Sequence, residues 1–256
     1  RSLDIDMACI SNNEMKRVKS LHLKKTRDEL GLFIVEGEKM VQEAIASPFE
    51  VERIYRRDEI GEESMKRISA LSSPSPALAV LKKPSDVYMD DASAAEDIIS
   101  KGGLFLALDS IRDPGNLGTI LRVADWFGID AIFAAKDTVD VFNPKVVQAT
   151  MGAIFRVKMH YIDLHDVSRI VLDKGGKVYG TFLDGQDMYK KELETGEGAP
   201  VMIVIGNESE GISAEMEEFV SDRLYIPPYP SDSSGSESLN AAIATAITIA
   251  EFRRRI

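Results

Sequence analysis

Three short polar clusters carry most of the side chains in this sequence that could do chemistry, and each lies at the edge of an apolar run. The first is Asp113-Pro114-Gly115-Asn116-Leu117-Gly118, with Arg122 one turn further on. The second is Gly206-Asn207-Glu208-Ser209-Glu210-Gly211, directly after Val201-Met202-Ile203-Val204-Ile205. The third, Ser238-Leu239-Asn240, opens a long apolar run that ends near Phe252. Amides, carboxylates, a hydroxyl and one guanidinium are groups that orient a ligand and offset developing charge. Loops leaving the carboxyl ends of neighbouring strands converge on one crevice, so the three clusters predict a single pocket.

Each cluster also has a plainer reading. Asn116 is the expected N-cap of a helix over 117–127 with Leu117, Ile120, Leu121 and Ala124 as its apolar face. Arg122 then projects from the other side, above Gly118, where a glycine leaves the backbone open to a ligand. The alternative is a surface pair with Asp125, which is cheap and common. Gly206 can let a ligand lie against the chain, and Glu208 and Glu210 would welcome a cation and repel a pyrophosphate. The segment is neither GxGxxG nor a Walker loop; alternatively it is a turn before a helix capped by Ser213. The third run has no polar face and so predicts a buried helix, packed inside the domain or across a dimer interface. Ser238 and Asn240 would then be polar groups at a buried helix start that need partners, or ordinary caps.

The elements that must position these groups fall into two regions. Residues 1–95 read as a small α/β module: a helix from the capping box Ser11-Asn12-Asn13-Glu14 to about Arg27, strands at 32–35, 51–56 and 77–81, and helices at 38–47 and 62–71. A linker follows from Lys82 to Gly103. Residues 96–256 alternate helical patterns with apolar runs at 104–108, 131–135, 178–183, 201–205 and 224–226. Most of these runs lack period-two alternation, as expected of a mostly parallel sheet buried on both faces. With 44% apolar and 29% charged residues the chain reads as globular.

The net charge of −11 argues against broad nonspecific nucleic-acid binding. Basic residues are nevertheless clustered. Lys16, Arg17, Lys19, Lys24, Lys25 and Arg27 place six positive charges in twelve residues, which is either a solvated helix face or an RNA contact. The single cysteine, Cys9, excludes an internal disulfide and fits a reducing cytoplasm. No 18-residue apolar stretch or basic-then-apolar leader predicts a membrane span or export. His22, His160 and His165 lack metal-ligand spacing, so no metal is expected.

Taken in order, these motifs resemble the SpoU (TrmH-like) family of SPOUT methyltransferases, which move a methyl group from S-adenosyl-L-methionine to an RNA ribose 2′-hydroxyl. Asn116-x5-Arg122 is similar to the first family motif, and Gly206-Asn207-Glu208 with Gly211 to the second. Ile226-Pro227 followed by Ser238-Leu239-Asn240 is similar to the third. Asn143-Pro144-Lys145-Val146-Val147 and Met151-Gly152-Ala153-Ile154-Phe155-Arg156 also match, while Phe33-Ile34-Val35-Glu36-Gly37 resembles an L30e-like substrate-binding domain. Thr150 stands where the family usually has Ser, and the 227–236 loop is longer than usual.

The resemblance implies an α/β protein with an L30e-like RNA-binding domain at 1–95 and a catalytic domain at 96–256. The latter would be a SPOUT-type, mostly parallel sheet with a deep trefoil knot, assembled as a homodimer. It implies catalytic roles for Arg122, Asn116, Glu208, Ser238 and Asn240, the last four positioning Arg122 and the ribose. Thr181, Leu183, Gly206, Asn207, Ile226, Pro227, Leu239 and Ala244 would bind S-adenosyl-L-methionine, and Lys16–Arg27 the rRNA or tRNA. A non-catalytic RNA-binding protein could keep this fold after losing the motif residues, but all are present here. A nicotinamide-dependent oxidoreductase would need a glycine fingerprint that the first cluster lacks.

Overall fold

The computed structural model describes residues 10–233, 235 and 237–256. Cys9 and two residues of the 227–236 loop, Ser234 and Ser236, lie outside the described residues. The chain forms two compact units, residues 1–84 with 140–156, and residues 85–139 with 157–256. The units therefore do not divide at 95/96: the boundary falls after Pro84, and a segment from the second half belongs with the first.

The first unit starts with α1 (Asn12–Ser20) and α2 (Lys24–Leu30). Next come β1 (Leu32–Glu36), α3 (Glu38–Ala46), β2 (Val51–Arg56), α4 (Arg57–Ile60), α5 (Glu62–Ile68) and β3 (Ala77–Lys82). The sheet order is β1-β3-β2, antiparallel throughout. Every residue of β1 is buried, because both sheet faces are covered. Met15, Val18, Met65 and Ile68 pack with Ile34 and Val80 in one cluster. Phe33, on the opposite side of the pleat, meets Phe142 at 4.7 Å and Phe49 at 6.0 Å between ring centroids, and Phe49 meets Phe155 at 5.3 Å.

The expected single helix from Ser11 to Arg27 is broken after Ser20. Ser11 caps α1 through the Glu14 N–H (3.1 Å), as anticipated. Arg27 causes the departure. Its guanidinium folds back to donate to the Leu21 and His22 carbonyls at 3.1 and 2.9 Å, acceptors that a continuous helix would have used. Its remaining edge donates to Asp140 at 3.1 and 2.9 Å. Arg27 is 1% exposed and Asp140 6%. Arg27 is therefore no RNA contact; the expectation is corrected because this residue is an internal cross-link.

The second unit opens with α6 (Ser93–Ile99), β4 (Leu104–Leu108), α7 (Pro114–Trp126) and β5 (Ala131–Ala134). The chain then passes through α8 (Pro144–Ala149), in the first unit, and returns as β6 (Met159–Tyr161) and α9 (Leu164–Asp173). It ends with β7 (Lys177–Asp187), β8 (Val201–Ile205), α10 (Ala214–Glu217), β9 (Asp222–Tyr225) and α11 (Ala241–Arg254). The six strands are all parallel, in the order β6-β5-β4-β8-β7-β9. β4, β5 and β8 are wholly buried, as their unbroken apolar runs predict.

Removing one partner of a buried ion pair leaves an uncompensated charge in the interior. Arg27→Ala should therefore cost about 3–5 kcal/mol, read from the urea midpoint followed by circular dichroism. A loss below about 1 kcal/mol would show that Asp140 finds other donors.

Candidate active site

The loops that follow β4, β8 and β9 meet, and one side-chain amide joins them. Asn116 Nδ2 donates to Glu208 Oε1 at 3.4 Å, and its Oδ1 accepts from Asn240 Nδ2 at 2.9 Å. The first cluster comes from the start of α7, the second from the loop after β8, and the third from the cap of α11. The N-cap of α7 is Asp113, not Asn116: Asp113 accepts the Asn116 N–H at 2.8 Å, and Pro114 occupies the first turn. The helix therefore begins three residues earlier than expected, and Asn116 is freed to face the other loops.

Glu208 is the most heavily bonded acceptor of the site. It takes the backbone N–H groups of Arg112 (3.0 Å) and Asp113 (2.9 Å) besides the Asn116 amide. Burial alone would push its carboxyl up. The N–H groups of Asp113, Glu208 itself and Arg112, with the Asn116 amide, outweigh burial and hold it below the ordinary glutamate value. Asn207 ties the same loop down: Nδ2 donates to the Ser110 carbonyl at 2.7 Å, and Oδ1 accepts from the Ser209 and Glu210 N–H groups, both at 3.0 Å. Asn207 and Gly211 also exchange backbone hydrogen bonds at 2.9 and 3.0 Å.

Gly206 is a glycine for a different reason from the expected one. A Cβ there would lie 2.4 Å from the Gly211 carbonyl carbon and 2.4 Å from the Ile212 nitrogen. The chain itself approaches closely there. Gly118 is likewise buried, so it does not offer open backbone below Arg122.

Asn240 caps α11, accepting from Ala242 and Ile243 at 2.9 and 3.1 Å. Ser238, Leu239 and Asn240 are exposed, so this helix start is not buried as anticipated. Nor is α11 buried all round. Thr245, Thr248, Ile249, Glu251 and Phe252 face inward, while Ile243 remains 53% exposed. The two threonines are satisfied within the helix, by the Ala241 and Ala244 carbonyls at 2.7 Å each.

The structure thus unites Asn116, Glu208 and Asn240 but leaves Arg122 and Ser238 outside this network. Arg122 is exposed and has no ion-pair partner among the described residues. It lies six residues beyond Asn116, about 120° round the helix. Thr181 and Leu183 lie within β7 just past its ladder with β8, which ends at Gly180 and Val204, and Ile226 and Pro227 directly follow β9. Leu183 and Leu239 are 78% and 49% exposed, and Ala244 is half-buried on α11. Exposed aliphatic side chains next to an acidic loop fit a ligand that combines an aromatic ring with a cationic centre. Among the described residues no cluster of His, Cys, Asp and Glu is arranged to hold a metal, and no helix is long and apolar enough to cross a membrane.

Of the basic stretch, Lys16 and Lys19 are exposed on α1. Arg17 pairs with Glu52 at 3.1 Å, Lys24 with Asp28 at 2.5 Å and Lys25 with Glu29 at 4.0 Å. Much of that charge is therefore locally balanced.

A family model described as the SpoU rRNA Methylase family matches residues 103–250. The chain belongs to this family. A second model, the MRM3-like substrate binding domain, matches residues 12–85. Among SpoU relatives, 23S rRNA (guanosine(2553)-2′-O)-methyltransferase RlmP of Bacillus subtilis is 30% identical, over 94% of this chain and 96% of its own length. A TrmH-family structure from Porphyromonas gingivalis superposes with a TM-score of 0.84 at 37% identity, covering 97% of this chain and 100% of that one. An AdoMet-bound rRNA methyltransferase from Sinorhizobium meliloti gives 0.83 at 28% identity, covering 97% of each chain.

The depressed Glu208 carboxyl sets a pH dependence. Its ionised form carries the loop contacts, so its stabilisation is complete above the ordinary glutamate value and is lost as pH falls through the lower native one. The stability difference between the wild-type chain and Glu208→Gln should be largest near neutrality and vanish in acid. A pH-independent difference would mean that the carboxylate charge does not hold the loops.

Proposed function

We propose that this chain transfers a methyl group from S-adenosyl-L-methionine to a ribose 2′-hydroxyl of ribosomal or transfer RNA, in the cytoplasm. The observation that carries the reading is the junction of Asn116, Glu208 and Asn240, which brings all three motifs of the SpoU family together with their functional side chains present. The intact junction favours catalysis over an RNA-binding protein that has lost its chemistry. Two of the relatives named above, RlmP and the Sinorhizobium meliloti protein, are named as rRNA methyltransferases, which favours rRNA.

Thr181, Leu183, Gly206, Asn207, Ile226, Pro227, Leu239 and Ala244 would hold the cofactor. The bound sulfonium supplies a methyl group already activated for transfer, so the protein's task is to orient the ribose oxygen and manage one proton. Asn116 is fixed at both ends of its amide, and with Asn240 it gives a ribose hydroxyl a rigid frame. The Arg122 guanidinium offers N–H donors and no acceptor, so it is not the base. It reaches the substrate from the exposed side of α7, where it offsets developing negative charge or holds a phosphate that takes the proton. Glu208 acts through the Asn116 amide and the 112–113 backbone as a positioning residue.

A trefoil knot is what membership of the SpoU family leads us to expect in the catalytic unit, where β7 and β9 pair irregularly. Leu224 is bridged to Thr181 and again to Gln186, so β7 residues on either side of the 182–185 excursion flank it. A Cβ at Gly185 would lie 2.2 Å from the Leu224 carbonyl oxygen. A homodimer is supported by α7 and α11, which pack together and leave Trp126 (85%), Ile243 (53%) and Leu239 (49%) exposed. The first unit, matching a substrate-binding model, is the proposed RNA reader, with Lys16 and Lys19, which have no ion-pair partner among the described residues, exposed on α1; an L30e-like ancestry fits its small α/β architecture.

Mapping 2′-O-methylation in total RNA with and without the protein would identify the nucleotide, and its absence at every site would refute the activity. Arg122→Ala should lower single-turnover methyl transfer at least about 100-fold while leaving cofactor affinity unchanged by calorimetry. Near-normal turnover would reduce Arg122 to a surface cation. Light scattering at micromolar concentration should give twice the chain mass, falling to a single mass in Ile243→Glu; a wild-type monomer with full activity would reject the dimer.

A further inference from the structure

The motif junction leaves unused the place where an open parallel sheet most often binds nucleotides. The chain leaves β4 toward β5 on one side and leaves β8 toward β9 on the other, so the loops after these neighbouring strands part. Such a switch point opens a crevice at the carboxyl ends of the strands. A groove of about 500 Å³ lies there, within the usual range for small-ligand sites. Ile162, Leu164 and Met216 line it with apolar surface; its charged and titratable lining is Lys136 and His165 with the carboxyl groups of Asp109, Asp163 and Glu215.

These polar groups are arranged by their surroundings. Asp109 is 6% exposed. One of its carboxylate oxygens takes the Ser213 N–H at 2.7 Å; the other has no protein donor among the described residues. A buried acceptor with an open lone pair selects a ligand that brings a donor. The His165 imidazole is held by stacking on Phe219, 5.3 Å between centroids. Lys136 is exposed and has no anionic partner among the described residues. Beside the lining residue Ser110, Arg112 is paired with Asp137 at 3.3 Å, and Asp137 accepts the Ser110 hydroxyl at 2.8 Å. Lys136 set against Asp109, Asp163 and Glu215, with apolar walls and a fixed aromatic ring, makes a groove that takes a base bearing amino donors with its phosphate at Lys136.

The groove is continuous with the motif junction. Ser110 lines it while its carbonyl holds Asn207 at 2.7 Å. Two and three residues on, the N–H groups of Arg112 and Asp113 hold Glu208. Ser110 sits at φ +66°, a left-handed conformation that costs a non-glycine residue energy and collects at functional sites.

We propose that this groove is a second nucleotide subsite, holding the base and phosphate of a residue that flanks the one whose ribose lies at the Asn116 junction. The proposal rests on the RNA reading above. The base enters between the apolar walls beside His165, and its phosphate stays at Lys136. Asp109 accepts from an exocyclic amino group, so cytosine is preferred to uracil, which offers only one N–H between two carbonyls.

Titrating the full chain with CMP and with UMP tests this. Excess S-adenosylhomocysteine keeps either nucleotide off the cofactor residues, and nuclear magnetic resonance follows binding. CMP should bind at least about tenfold more tightly than UMP, the effect of one hydrogen bond to a charged acceptor. His165→Ala should weaken both by about fivefold or more, as for a lost stacking partner. Asp109→Asn should abolish the preference; if that variant does not fold, His165→Ala and Lys136→Ala carry the test. Equal binding of CMP and UMP, no binding of either at millimolar concentration, or unchanged affinity in His165→Ala would each overturn the subsite. Calorimetry with S-adenosylmethionine separates this from the parent reading: wild-type chain that binds no cofactor but discriminates CMP from UMP would refute the methyltransferase and leave the groove standing.

Discussion

The side-chain amide of Asn116 is the constraint on which the site depends. It must donate to a carboxylate on one loop and accept from an amide on another, and a carboxamide carries both functions on one short planar group. An aspartate in its place would face Glu208 with like charge; a leucine would leave Asn240 and Glu208 short of a partner each. The partners are themselves committed, Glu208 to the 112–113 backbone and Asn240 to the start of α11. Three loops from three strands therefore have little freedom to move independently. Such rigidity suits a reaction whose chief requirement is alignment.

Much of this was legible in the chain. Unbroken apolar runs such as Val201–Ile205 announced strands buried on both faces, and every strand pair in the six-stranded sheet is parallel. The convergence of the three clusters followed from their place after such runs. Finer statements failed where a tertiary contact overruled local pattern. Asp113 and Asn116 are both good caps, and spacing alone does not tell which one a neighbouring loop will claim. Gly206 and Gly118 read as openings for a ligand, but a glycine equally marks where the chain presses on itself. β6 escaped notice because it is three residues long with a histidine in the middle.

Arg27 shows why a count of charges is a weak guide to a binding surface. It belongs to the basic stretch by sequence, yet it is among the largest fully buried side chains of the protein. Nothing within twenty residues announces this, because its partner Asp140 is 113 positions away. Arginine suits the role: its planar fork makes four hydrogen bonds, two to carbonyls and two to a carboxylate, where lysine has three N–H donors. The Asp140 carboxylate completes the arrangement by accepting the Phe142 N–H at 3.2 Å.

That pairing has a consequence for biosynthesis. The first unit is discontinuous in the chain: its aromatic cluster needs Phe142 and Phe155, and Arg27 needs Asp140. As the polypeptide leaves the ribosome from its amino end, residues 1–84 emerge without the groups that close one face of their sheet. Until residue 156 has followed, Arg27 is a cation without its anion and Phe33 an aromatic without its cover. The unit that begins first is thus obliged to wait for β4, α7 and β5, and the nascent chain carries an open apolar face through that interval, a natural point of engagement for a chaperone.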